Sequence, residues 1–174
     1  VISGLGIQTL KSPIDGILKN IYVIDGEKVE KNQKLFEFDG KKLKSQIISY
    51  ERELELHSND LKNVQNDCIL VDNLLQTKFK ISKKEYSLQE GILLKFESLI
   101  NEGAISELDY LQQQSRFLEA QNILNQTKTN IELQKTECQK QLNELNLKIS
   151  KVNNDKQIAN TSLKELIVRS PGKG

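Results

Sequence analysis

The sequence predicts a mainly α fold: a long antiparallel coiled-coil hairpin whose two feet stand in one small β unit. Three observations predict it. Between Lys41 and Leu166 the chain holds only two helix breakers, Gly91 and Gly103, and no proline. The apolar residues on either side of Gly103 recur in heptads. The only two prolines, Pro13 and Pro171, open similar short segments just outside the two heptad arms.

Taken in order, residues 1–9 read as an extended lead-in and residues 10–39 as short strands and turns. Ser12-Pro13-Ile14-Asp15-Gly16 is a turn signal. Ile17, Lys19, Ile21 and Val23 alternate along one side of a strand that ends at the Asp25-Gly26 turn. Val29 sits in a polar connection, and Leu35 to Phe38 reads as a second strand. Thirty residues of short strands cannot bury a core alone, so they require partners from elsewhere in the chain.

Residues 41–101 form the first predicted helix. Leu43, Ile47, Tyr50, Leu54, His57, Leu61, Val64, Cys68, Val71 and Leu75 follow the alternating 4,3 spacing of a seam. Residues 102–105 form the turn, where Gly103 takes φ > 0 without steric cost and ends the helix. Ser106, with Asp109 three residues on, is the N-cap signal for the second helix, 106–166. Along it, Tyr110, Phe117, Leu124, Ile131, Cys138, Leu145, Val152 and Ala159 repeat every seven residues.

Reflection about Gly103 sets Leu54 opposite Val152, Leu61 opposite Leu145, Cys68 opposite Cys138, Leu75 opposite Ile131 and Phe96 opposite Tyr110. An antiparallel hairpin explains that shared centre, because residues equidistant from the turn lie at about the same height. The registration is fixed only to within a few residues, since turn geometry is not legible in sequence. The seam weakens at Ser82, Gln89 and Gly91, which predicts a distal half looser than the base.

Beyond the second helix, residues 167–174 begin a segment that repeats an earlier pattern. Arg169-Ser170-Pro171-Gly172-Lys173-Gly174 echoes Lys11-Ser12-Pro13-Ile14-Asp15-Gly16. The expectation is one β domain split by the helical insertion, its second half truncated at Gly174.

Composition narrows the function. The 174 residues carry a net charge of +1, 28% charged and 5% aromatic side chains, and no Trp or Met, so the apolar residues form stripes and no thick core is expected. At about 1.5 Å per residue, each arm is expected to reach roughly 90 Å. Mixed charge near neutrality argues against nucleic acid. Lys41, Lys42 and Lys44, and Lys78, Lys80, Lys83 and Lys84, are read as solvated helix face. No stretch approaches the ~20 apolar residues of a membrane span.

Catalysis finds little to work with. His57, the one histidine, lies in the seam between Leu54 and Leu61 and reads as a packed residue. No metal-ligand spacing, phosphate loop, nucleophile elbow or paired-carboxylate constellation occurs. The chain is therefore read as a non-enzyme without cofactor or metal.

The segment Ser12-Pro13-Ile14-Asp15-Gly16-Ile17, followed by Gly26-Glu27-Lys28-Val29 and Gln33-Lys34-Leu35-Phe36, resembles the first lipoyl half of HlyD-type membrane fusion proteins. These are adaptors of bacterial tripartite export and type I secretion machines, and the family inserts an α-helical hairpin between its lipoyl halves. Its tip pattern is Arg-Leu-two-Leu-six-Ser. Lys95-Phe96-Glu97-Ser98-Leu99 running to Ser106 has that spacing: Leu99 and Ser106 match, Lys95 replaces arginine and Phe96 replaces leucine. Lysine keeps the charge and loses the bidentate fork.

The resemblance implies a long hairpin inserted into a split, incomplete lipoyl-like β domain. It implies a periplasmic adaptor, anchored to the inner membrane in the full-length protein, that bridges an inner-membrane transporter of ABC type to a TolC-type outer-membrane channel. It further implies a homo-oligomer, a hexamer, whose tips dock to the duct through Lys95, Phe96, Leu99, Gly103 and Ser106. A Gram-positive setting without an outer membrane stays open, and the substrate is not legible.

Two other functional classes fit the sequence less well. A plain coiled-coil spacer or scaffold needs no β halves at its feet. A swinging-arm carrier needs a lysine in a dedicated motif, and Ile24-Asp25-Gly26-Glu27-Lys28 has none around Lys28. Cys68 and Cys138, each 35 residues from Gly103 at a seam position, are a candidate disulfide. An oxidising periplasm would let it persist. Packed, reduced thiols rank ahead of it, because seam positions often point past each other.

Overall fold

The structure is a computed structural model and describes residues 17–174. The lead-in over 1–9 and the Ser12–Gly16 turn lie outside the described residues. The described elements run β1 (Leu18–Ile21), β2 (Lys34–Phe38), α1 (Lys41–Asn101), α2 (Glu107–Glu165) and β3 (Ile167–Arg169). The chain divides into two compact units. One holds the described residues up to Ser58 together with Leu147–Gly174, and the other holds Asn59–Asn146.

In the first unit, β2 lies between β1 and β3, antiparallel to both. The strand before the helices and the strand after them thus share one sheet. Phe36 pairs with Ile21 on one side and with Val168 on the other. The pairing runs on past β3. The Ser170 N–H donates to the Gln33 carbonyl at 2.9 Å, the Asn32 N–H to the Ser170 carbonyl at 2.8 Å, and Val29 and Gly174 exchange bonds at 3.0 Å. Arg169 adds a guanidinium bond to the Asn32 carbonyl, and Lys173 pairs with Glu30.

Two turns of one design shape the connection from β1 to β2. At Ile24–Glu27 and at Glu30–Gln33 the first carbonyl accepts from the fourth N–H, and the third residue has φ > 0, Gly26 at 80° and Asn32 at 70°. These are type II turns, and glycine and asparagine are the residues that tolerate that conformation. In each, the fourth side chain also accepts from the first N–H: Glu27 from Ile24 at 3.0 Å and Gln33 from Glu30 at 2.8 Å.

The first strand is shorter than its apolar alternation predicts. It stops at Ile21, and Ile17 and Ile21 are 78% and 61% exposed. Alternation sorts residues onto two faces but does not say that a face is covered. A single three-stranded sheet leaves one face open among the described residues. The buried positions of this unit are Leu35, Gly40, Val152, Ala159, Leu166 and Ser170.

Gly40 explains how α1 can start beside the end of α2. A Cβ placed there would lie 2.7 Å from Leu166 Cδ1 and 2.9 Å from Leu163 Cδ1. Asp39 then supplies the cap that three first-turn lysines do not, accepting from the Lys41 N–H at 2.9 Å. Farther along, Lys156 of α2 pairs with Glu51 of α1 at 2.9 Å, and His57 lies 3.7 Å from Glu53.

In the second unit the expected seams are the least exposed lines of both helices. Leu61, Val64, Cys68, Val71 and Leu75 are half-buried, Leu124 and Ile131 buried, and Cys138 and Leu145 half-buried. Cys68 and Cys138 are joined by a disulfide with Cα atoms 6.0 Å apart. That separation falls within the range a bridge requires, so the earlier preference for reduced thiols does not hold in this structure. Closing a loop of 70 residues restricts the unfolded chain by about 4 kcal/mol in the chain-entropy picture.

Nearer the turn, the Tyr86 and Phe117 rings meet at a tilt with centroids 5.3 Å apart, and Gln113 donates to Gln89 at 2.7 Å. These pairs are offset by three or four residues from strict reflection about Gly103. Outside the seam, polar side chains four apart hydrogen-bond along α2, as Gln139 to Asn143 and Gln141 to Glu137. Lys78, Lys80, Lys83 and Lys84 are exposed.

Candidate docking site at the hairpin tip

The turn between the helices is built from two interlocked caps. The Gly103 N–H donates to the Ile100 carbonyl at 3.0 Å, and the Ala104 N–H to the Leu99 carbonyl at 2.9 Å, with Gly103 at φ 69°. That pair of bonds around a left-handed residue is the Schellman closure, which satisfies carbonyls the helix leaves open. Ser98 Oγ donates to Glu102 at 3.0 Å and holds the last turn.

The second helix starts on a reciprocal cap. The Asp109 N–H donates to Ser106 Oγ at 3.2 Å, and the Ser106 N–H donates to the Asp109 carboxylate at 3.3 Å. Glu107 and Asp109 place negative charge at the positive end of the α2 dipole.

The five tip residues named from sequence therefore divide by task. Gly103 and Ser106 make the turn. Leu99 does so through its carbonyl only, and its side chain is 37% exposed. Lys95, one turn earlier, is exposed and makes no ion pair among the described residues. Four-residue spacing sets Lys95 and Leu99 on one helix face, a cation beside an apolar knob. Phe96 is half-buried.

Sequence reasoning missed Leu94 and Leu108, both more than 60% exposed near the turn. Their signal was present: large apolar residues off the heptad seam, close to the tip. It also missed Ser98 with Glu102, a polar pair at ordinary helix spacing that nothing in sequence distinguishes.

The arrangement offers shape, one cation and apolar surface. Among the described residues no cluster of His, Cys, Asp and Glu could hold a metal ion, and no helix is long and apolar enough to cross a membrane. In the first unit, a cleft of about 300 Å³ is lined by Lys19, Glu37, Lys44 and Leu166 among others.

On the sheet face, Glu37 accepts from the Tyr22 hydroxyl, from Lys19 at 3.0 Å and from Asn20 at 3.2 Å. The Tyr22 hydrogen bond, then those of Lys19 and Asn20, hold the Glu37 carboxyl well below its ordinary range, at about 2. The same contacts raise Tyr22 and Lys19.

No protein-family model and no curated protein matches the chain. Among solved structures, the periplasmic adaptor protein EmrA is 14% identical over 91% of this chain and 61% of its own, with a TM-score of 0.47. The soluble domain of LipC, a membrane fusion protein of a type I secretion system, is 17% identical over 97% and 90%, also at 0.47. MacA from Actinobacillus actinomycetemcomitans is 18% identical over 97% and 41%, at 0.28. The chain thus spans about three fifths of the EmrA structure.

Proposed function

We propose that the chain is the hairpin-bearing part of an HlyD-type membrane fusion protein. In this reading it is a periplasmic adaptor subunit, and the full-length protein is anchored to the inner membrane. It joins an inner-membrane transporter of ABC type to a TolC-type outer-membrane duct, without chemistry of its own. The observation that carries the reading is the shared sheet, in which β2 pairs with strands from before and after the helices. A spacer needs only its coiled coil, whereas an adaptor needs a β module from which the hairpin projects.

Two further features support it. Lys95 and Leu99 offer a cation without an ion pair among the described residues and an apolar knob, beside a capped turn. Leu74, Ile81 and Leu88, seven residues apart and exposed, give α1 an apolar line off its seam, which suits side-by-side packing of copies in a hexamer.

The test is site-specific photocrosslinking in the full-length protein in cells. A photoreactive residue at Lys95 is expected to capture an outer-membrane channel, and one at Lys151 is not. A scaffold without a transport role would give no channel adduct at either position and no export defect on deletion.

A further inference from the structure

We propose that the Cys68–Cys138 disulfide is a redox-dependent clamp. Closed, it keeps the distal hairpin in its paired state; reduced by a dithiol, it releases that pairing and leaves the three-stranded sheet in place. The inference concerns the pairing of the two helices and stands whether or not the tip docks to a channel.

The position of the bridge is the first argument. It closes a loop of 70 residues that contains the whole tip, so every distal inter-helix contact lies inside a covalent ring. The seam within that ring is the second. Its buried positions are Ser82, Gln113, Ala120, Leu124 and Ile131, with Gln89, Thr127 and Gln134 half-buried beside them. Polar and small side chains take the place of apolar ones in several layers, and no side chain among the described residues is less than 2% exposed. Two helices without a third layer remove little apolar surface from water per layer. Gly91 weakens α1 within the same stretch. Pairing there depends on the restricted loop more than on the seam.

Both cysteines are half-buried, and neither belongs to the buried core. Exchange proceeds when a dithiol's thiolate attacks one sulfur and expels the other as thiolate. The second thiol of the reagent then closes its own ring. The protein gains two electrons and two protons as two Cys thiols, and the dithiol leaves as a disulfide.

Hydrogen exchange on the full chain, oxidised and after dithiothreitol, tests the clamp. Reduction is expected to speed exchange at least tenfold between residues 75 and 131 and to leave Lys34–Phe38 and Ile167–Arg169 unchanged. The double variant Cys68→Ser with Cys138→Ser is expected to match the reduced protein and to ignore dithiothreitol. Equal protection in oxidised and reduced protein would overturn the clamp. So would a loss of the same size in the strands, which would make the bridge a general stabiliser.

Discussion

The amide of Gln113 donates to Gln89 Oε1 across the two helices at 2.7 Å, and Gln113 is only 3% exposed. A hydrogen-bonded polar layer marks one alignment of the seam, because any other leaves a part-buried amide unpaired. Replacing Gln113 with Leu alone is expected to cost about 1–3 kcal/mol. Replacing both with Leu is expected to recover most of that loss, as a pair removed together leaves nothing unsatisfied. A double-mutant cycle by urea unfolding measures the coupling, and strictly additive losses would show that the pair does not act as one layer.

At the tip, the turn is closed by the Leu99 carbonyl and not by its side chain. Leu99→Asp is therefore expected to keep its helicity and to lower the thermal midpoint by no more than about 4 °C, the price of a carboxylate at the negative end of α1. Photocrosslinking to the channel is expected to vanish in the same variant. Loss of helicity together with crosslinking would assign Leu99 to closing the hairpin instead of docking.

The hairpin was legible because its signals are local or periodic. Ser106 and Asp109 form the cap their spacing announces, and Leu61 to Leu75 line the seam that the 4,3 spacing draws. Cys68 and Cys138 meet although 70 residues apart, since equal distance from a Gly turn is equal height in an antiparallel pair. The Gln89–Gln113 layer was not legible, because glutamines carry no hydrophobic period and lie fourteen and ten residues from Gly103. Nor was the role of Gly40, which depends on Leu163 and Leu166 arriving from the far end of the chain. The exposure of Ile17 and Ile21 was equally hidden, since alternation does not say whether a face is covered.

Glu37 gives the sheet a pH dependence with a definite sign. Its folded value, about 2, lies below the ordinary carboxylate range. Its contribution is therefore complete above about pH 5 and is lost as pH falls from about 4.3 toward about 2. Tyr22 and Lys19 are raised, so theirs is complete below about pH 9 and is lost as pH climbs past about 10. Carboxyl chemical shifts are expected to show Glu37 titrating below the ordinary carboxylate range and moving upward in Tyr22→Phe. An ordinary midpoint for Glu37 in both proteins would remove the cluster from the account.

Two glycines on α1 or at its start are expected to respond to alanine with opposite signs. At Gly91 a Cβ meets nothing within 4 Å, and the position lies inside a helix. Gly91→Ala is expected to stabilise by about 1 kcal/mol and to slow hydrogen exchange between Ser82 and Ile92, which in the unmodified chain runs faster than between Leu54 and Leu75. At Gly40 a Cβ falls 2.7 Å from a Leu166 methyl and 2.9 Å from a Leu163 methyl. Leu166 is buried, and its carbonyl accepts from the Phe38 N–H at 3.0 Å. Moving its side chain therefore disturbs the contact between β2 and the end of the second helix. Gly40→Ala is expected to cost about 1–3 kcal/mol, with faster exchange at Phe38 and Lys44. Thermal melts of both variants decide the matter. Shifts of the same sign would mean that helix propensity alone governs both positions and that the close approach at Gly40 relaxes freely.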